Sequence, residues 1–177
     1  MKKQESKQPL EIERKYLIRK PTAEQIAALH CTSITDIIQY YLLQNEANTG
    51  RRIRKRGTAA DGYRYYYTEK IKISASVRIE KEHEISKAEY EKLRLEADPQ
   101  RHAIEKTRYC FFFEGRMYEM DLFALSDEFA FLEIELEDSE DIPQVLPPLD
   151  IIRDVTEEDA YTNRALAKSG VIQLTAE

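Results

Sequence analysis

The chain lacks most features that mark a secreted, membrane-spanning or nucleic-acid-binding protein. It has only two cysteines, Cys31 and Cys110, so there is no disulfide framework, and reduced structural thiols in a reducing compartment are expected. No run of about 18 apolar residues occurs, and the polar start Met1-Lys2-Lys3-Gln4-Glu5-Ser6-Lys7-Gln8 leads into no apolar stretch. Membrane spanning and classical export are therefore excluded, and a cytoplasmic location is expected. The formal net charge of -6 lacks the basic excess of a protein held to nucleic acid by bulk electrostatics. His30, His83 and His102 have no metal-ligand spacing, and no histidine–cysteine cluster suits zinc.

What is present suits one compact domain over residues 1–177, since 42% of the 177 residues are hydrophobic and 34% charged. The stretch Leu10-Glu11-Ile12-Glu13-Arg14-Lys15-Tyr16-Leu17-Ile18, read as a strand, puts Glu11, Glu13 and Lys15 on one face. Leu10, Ile12, Tyr16 and Ile18 share the other with Arg14. Seven more stretches read as strands: 34–44, 51–56, 63–74, 77–85, 103–113, 116–124 and 129–137. Most repeat the division. Arg52 and Arg54 share a face, as do Thr68, Lys70 and Lys72; Arg78, Glu80, Glu82 and Glu84; Lys106 and Arg108; Glu119 and Asp121; and Glu133, Glu135 and Glu137.

Helices are expected where capping signals stand. Thr22 with Gln25, and Ser86 with Glu89, have capping-box spacing, and Thr156 followed by Glu157, Glu158 and Asp159 reads as the start of a last helix ended by Gly170. Asp61-Gly62 and Glu114-Gly115 read as hairpin turns, and Ile142 to Pro148 as a Pro-interrupted connector. The aromatic runs Tyr65-Tyr66-Tyr67 and Phe111-Phe112-Phe113 read as strand packing surface, and the basic run Arg51 to Arg56 as a half-inward strand.

Eight strands with one charged and one apolar face fit a closed antiparallel barrel of α+β class, apolar outside under flanking helices and charged within. Carboxylates crowded into such a lumen repel one another and take up protons unless a cation compensates them. Oxygen donors alone suit Mg²⁺ or Mn²⁺, and the Arg and Lys side chains then require an anion, for which a linear polyphosphate is apt.

Glu11-Ile12-Glu13-Arg14-Lys15 resembles the ExExK signature of the CYTH family, the triphosphate tunnel metalloenzymes. That family includes class IV adenylate cyclases, thiamine triphosphatases and inorganic triphosphatases. Gln39-Tyr40-Tyr41-Leu42 is similar to its QGYL block, Arg52-Ile53-Arg54 to RxR, Thr68-Glu69-Lys70 to TxK, and Arg78 through Ile85 to RxExExxI. Further blocks follow in order: Glu105 to Tyr109, Glu119 to Phe123, Leu132 to Leu136, and Asp154-Val155-Thr156 through Tyr161-Thr162-Asn163. The resemblance covers roughly residues 9–168. Tyr40 stands where the family has Gly, and Ile73-Ser74-Ala75-Ser76 lacks the family's turn Gly, which puts the shape of the rim in question.

The resemblance implies metal ligation by Glu11, Glu13, Glu133 and Glu135, with Glu80 and Glu82 as further ligands or their supports. It implies that Arg52, Arg54, Lys70, Arg78, Lys106 and Arg108 hold the triphosphate and that Asp121 orients one of them. Lys15 and Tyr41 are the implied catalytic pair, the tyrosine meeting the signature lysine. The expected activity is metal-assisted hydrolysis of a triphosphate, foremost inorganic tripolyphosphate. Adenylate cyclase and thiamine triphosphatase are the alternatives, and a non-catalytic polyphosphate-binding module is a further one that would have no use for the carboxylates.

Overall fold

The first strand, β1 (Ile12–Arg19), alternates as its sequence dictates: Tyr16 and Ile18 are buried on one side, while Glu13 and Lys15 turn to the other. The structure is a computed structural model describing residues 12–44, 50–72, 78–136 and 142–174, with the backbone only for residues 12, 70–72 and 78–80. After β1 come α1 (Ala23–Ala28), β2 (Ser33–Tyr41), β3 (Gly50–Thr58), β4 (Gly62–Lys72), β5 (Arg78–Ile85) and α2 (Lys87–Arg94). Then follow β6 (Ile104–Phe113), β7 (Arg116–Phe123), β8 (Phe129–Leu136), β9 (Ile151–Asp154) and α3 (Asn163–Ser169).

The nine strands form one antiparallel sheet in the order β5-β4-β3-β2-β6-β7-β8-β1-β9. Seven of them contribute to the lining of a single cavity, so the sheet is curled about it. This corrects the closed eight-stranded barrel in two respects. A ninth strand exists, and the sheet is not closed among the described residues. The reason lies in β9, which pairs Tyr16 with Asp154 and Leu17 with Arg153 and so occupies the β1 edge that direct closure onto β5 would need.

Local signals explain most boundaries. Thr22 and Gln25 make the reciprocal capping box of α1, with bonds of 3.2 and 2.8 Å. Ser86 caps α2 by accepting from the Glu89 amide at 3.1 Å. Glu114 and Gly115, at φ 48 and 74, supply the two left-handed residues of the tight β6–β7 turn. The last helix corrects the expectation: Thr156 bonds back to Asp154, and it is Thr162 that caps α3 by accepting from the Ala165 amide at 3.2 Å. A short 3₁₀ turn, Asp159–Tyr161, fills the interval. Gly170 ends the helix as expected, with φ 72.

Three apolar clusters hold the sheet. On the convex side of β1, β6, β7 and β8, Tyr16, Ile18, Phe111, Tyr118, Met120, Leu132 and Ile134 pack under Ile26 and Leu29 of the α1 region. Leu42, just past the end of β2, packs with Ile53 of β3, Ile85 of β5 and Tyr90 of α2. The third cluster lies on the concave side: Leu17, Ile104, Phe123 and Phe131 meet Val155, Tyr161, Leu166 and Ala167, so α3 and the turn before it plug one end of the cavity. Phe111 is fully buried, whereas Phe112, one residue on, is 59% exposed, as period-two geometry requires.

Candidate functional site: a charged groove in the curled sheet

The concave face encloses a cavity of about 990 Å³. Among the described residues it is lined by the cations Lys15, Arg52, Arg54, Lys106 and Arg108 and the carboxylates Glu13, Glu82, Glu119, Glu133, Glu135 and Glu158. Strand register generates this arrangement. Glu13 lies opposite Glu135 and Lys15 opposite Glu133 on β1 and β8, while Glu119 lies opposite Glu133 on β7 and β8. Arg108 faces Asp121 across β6 and β7, and Gln39 faces Arg54 across β2 and β3.

The centre of the network is buried. Asp121 is fully inaccessible and accepts from Arg108 Nε and Nη2, each at 2.7 Å, and from the Lys106 ammonium. Burial alone would raise the Asp121 carboxyl, but Lys106 and the Arg108 guanidinium overcome it and hold it below the usual carboxylate range. Lys106 is only 8% exposed, a burial that disfavours its charge and pulls its pKa down against the raising pull of Asp121 and Glu133. Burial also works against the Arg108 charge, yet its carboxylate partners Asp121, Glu133 and Glu119 raise its pKa.

Glu133 serves two cations. Its Oε1 lies 2.9 Å from Lys15 Nζ, and its Oε2 accepts from Arg108 Nη2 at 2.7 Å. Lys15 also sits over the Phe131 ring, 4.5 Å from its centroid. Arg108 Nη1 further donates to Glu119, whose pKa is raised by burial against the opposing pull of Arg108. Glu13 opens to the groove, and its pKa is raised to about 7, first by desolvation among the groove walls and then by the Glu133 carboxylate. On the opposite wall Arg54 donates to Gln39 Oε1 through Nε at 3.3 Å and Nη2 at 3.2 Å, and burial followed by the neighbouring Arg52 lowers its pKa. Arg52 approaches Glu82 at 3.9 Å, and Glu82 accepts from the buried Thr68 hydroxyl at 2.7 Å.

The structure thus brings Glu13, Lys15, Arg52, Arg54, Glu82, Lys106, Arg108, Glu133 and Glu135 to one cavity, with Asp121 bonded to Lys106 and Arg108. Tyr41 takes another position from the implied pairing. Lys15 pairs with Glu133, whereas Tyr41 lies beside Gln39 and beneath the Arg101 guanidinium, 5.5 Å from its ring centroid. Glu11 lies outside the described residues. For Lys70, Arg78 and Glu80 the register is described, Lys70 opposite Glu80 and Lys72 opposite Arg78, while their side chains lie outside the description.

Gln39, with Thr156, Glu158 and Asn163 from the segment before and within α3, also lines the groove, although the sequence marks none of them as a site residue. Gln39 and Asn163 are uncharged, so the alternation of charge along the strands does not mark them. The signal available was their place inside the QGYL-like and last family-like blocks.

The donor set fits a hard divalent ion. Glu13 and Glu135 stand opposite each other with oxygen ligands only, an arrangement that a cation would relieve. Among the described residues no three acidic, histidine or cysteine groups converge as a ready metal cage. Among the described residues no helix is long and apolar enough to cross a membrane.

A curled antiparallel sheet around a groove of opposed cations and carboxylates has relatives among solved structures, two of which align over 90% of this chain at TM-score 0.64. The chain belongs to the CYTH family of triphosphate tunnel metalloenzymes. Both structures are of the protein NE1496. One, described as the inorganic triphosphatase NE1496, is 29% identical over 95% of its own length, and the other, described as the hypothetical protein NE1496, is 32% identical over 98%. No family model and no curated protein matches the chain.

Proposed function

We propose that this protein hydrolyses a triphosphate in the groove, with inorganic tripolyphosphate as the foremost substrate. The observation that carries the reading is the gathering of Arg52, Arg54, Lys106 and Arg108 with Glu13, Glu133 and Glu135 around one cavity. A simple anion site gains from the cations and loses from the carboxylates, so the two walls together favour an anionic substrate that arrives with a divalent ion. Likeness to a protein described as an inorganic triphosphatase supports tripolyphosphate over a nucleoside triphosphate.

The chain's own groups divide the work. Arg52 and Arg54 on β3, and Lys106 and Arg108 on β6 beyond the intervening β2, bind phosphate oxygens and stabilise charge as it gathers on the leaving phosphate. Asp121 holds the Lys106 and Arg108 side chains in place, so they meet the substrate preorganised. Lys15, anchored by Glu133, adds a positive charge at the carboxylate wall. Glu13 and Glu135, with Glu11 ahead of them on the chain, would hold Mg²⁺ or Mn²⁺, whose contribution is Lewis-acid neutralisation of the phosphate charge.

The test is phosphate release from tripolyphosphate, ATP and thiamine triphosphate, each with Mg²⁺, Mn²⁺ or EDTA, alongside detection of cyclic AMP. Metal-dependent release of phosphate from tripolyphosphate is the expected result. Turnover of no substrate with either ion removes the enzyme reading, and cyclic AMP from ATP replaces hydrolysis with cyclase chemistry.

A further inference from the structure

We infer that Gln39 is a substrate-contacting residue of this groove, its carboxamide Nε2 donating to a phosphate oxygen while its Oε1 positions Arg54. The inference rests on the triphosphate reading of the site and adds to it a neutral donor among the cations.

Gln39 is 2% exposed, yet it lines the cavity. Its orientation is fixed by chemistry, because a guanidinium can only donate: the atom meeting Arg54 Nε and Nη2 at 3.3 and 3.2 Å must be the oxygen. The NH₂ group therefore points elsewhere, and among the described residues Nε2 is a buried donor with no partner in good hydrogen-bond geometry. Buried amide donors are almost always satisfied, so an unsatisfied one at a cavity wall marks a missing acceptor. The Tyr41 hydroxyl is a neighbour. Burial raises its pKa, while Arg52 and a weak approach of the Gln39 amide, whose NH₂ alone can donate to the phenolate oxygen, pull the other way; the contact falls short of the geometry that would satisfy Nε2.

The identity of the acceptor follows from the surroundings. Gln39 lies in register with Arg54 and Ile104, with Arg52 further along the same face of the neighbouring strand. These neighbours repel a cation and attract an anion, so the group that meets Nε2 is an anionic oxygen. Nε2 is shut off from the groove in the empty protein, so a phosphate oxygen that bridges it and Arg54 meets it as the carboxamide turns away from Tyr41. The register also makes Gln39 a positioning residue, since fixing the Arg54 fork through Oε1 directs the remaining guanidinium donors at the same ligand.

The experiment uses the full chain in EDTA with tripolyphosphate as probe. The side-chain NH₂ signals of Gln39, identified in the ¹⁵N–¹H spectrum by their loss in Gln39→Met, are expected to shift as tripolyphosphate saturates the protein. Gln39→Met is expected to bind tripolyphosphate about tenfold more weakly, the loss of one hydrogen bond to a charged partner. Gln39→Glu, which keeps an oxygen for Arg54 but removes the donor, is expected to lose at least as much affinity and serves if the Met variant does not fold. Side-chain signals that stay still at saturation, or a folded variant that binds within twofold of the parent, would overturn the inference while leaving the triphosphate reading intact. Failure of the parent itself to bind tripolyphosphate would overturn both.

Discussion

Glu13 stands directly opposite Glu135 across the β1–β8 ladder, two carboxylates on one face with no intervening cation in register. Two positions away on the same ladder, Lys15 and Glu133 form an ion pair at 2.9 Å. Like charges directly opposite each other oppose folding, and the carboxylate that raises the Glu13 pKa, after burial itself, is Glu133, on the same face of β8 as Glu135. Charging Glu13 in this place thus costs the folded protein stability.

That cost has a pH signature. Burial and then Glu133 raise the Glu13 pKa from 4.5 to about 7, so the folded state holds this proton more tightly than the unfolded state. Stability in EDTA should fall as pH rises from about 4.5 to about 7 and level off above. Glu119, raised by burial, acts in the same direction, whereas Asp121 and Asp154, both lowered, lose their contribution only at more acidic pH. Urea titrations at pH 5 and pH 8 should show the drop for the parent and a smaller one for Glu13→Gln. Equal drops would detach Glu13 from it.

Glu13→Gln should also abolish metal-dependent turnover while leaving the fold intact, because Glu13 and Glu135 form the proposed metal wall. Circular dichroism together with phosphate release checks both halves. Retained activity would remove Glu13 from the metal set.

Glu133→Gln separates binding from turnover. It releases Lys15 and Arg108 from a shared anion, so tripolyphosphate affinity in EDTA should hold or tighten. Phosphate release with Mg²⁺ should fall roughly 100-fold or more, the scale of losing one preorganised electrostatic group. Calorimetry in EDTA beside a kinetic assay decides; weakened binding would make Glu133 a mere brace for the cations.

Asp121→Asn should be the most destabilising of these changes, by about 3–5 kcal/mol, since it leaves the buried Lys106 without its ion-pair partner and takes a counter-ion from the half-buried Arg108. Urea denaturation measures it. A loss below about 1 kcal/mol would mean that Glu133 and Glu119 satisfy those cations on their own.

Lys106→Ala should instead raise the Kd for tripolyphosphate. Lys106 lines the groove and its only described ion pair is with Asp121. An unchanged Kd would take it out of the site.

Much of this was legible in the chain because a strand writes its geometry into every second residue. Glu13 and Lys15, Arg52 and Arg54, and Lys106 and Arg108 line the groove together because residues i and i+2 share a face in any strand. The capping box at Thr22 was equally local. β9 was not legible: Ile151–Asp154 is too short to carry a pattern, and it is a strand only because β1 offers it an edge. Thr156 misled because three acidic residues follow it, whereas the chain must first carry Val155 and Tyr161 into the core before α3 can start. Gln39 carries no charge, and nothing local reveals that its amide is buried with one donor unmet.

The sequence by itself determined which side chains share a face and in what order the charged blocks run, since both follow from spacing along one chain. Tertiary structure alone decided that β9 takes the edge of β1 and leaves the sheet unclosed among the described residues. It also decided that Lys15 pairs with Glu133 rather than Tyr41, and that two glutamates confront each other on one wall. These are matters of register between strands far apart in sequence, set by how the apolar faces pack and not by any residue's near neighbours.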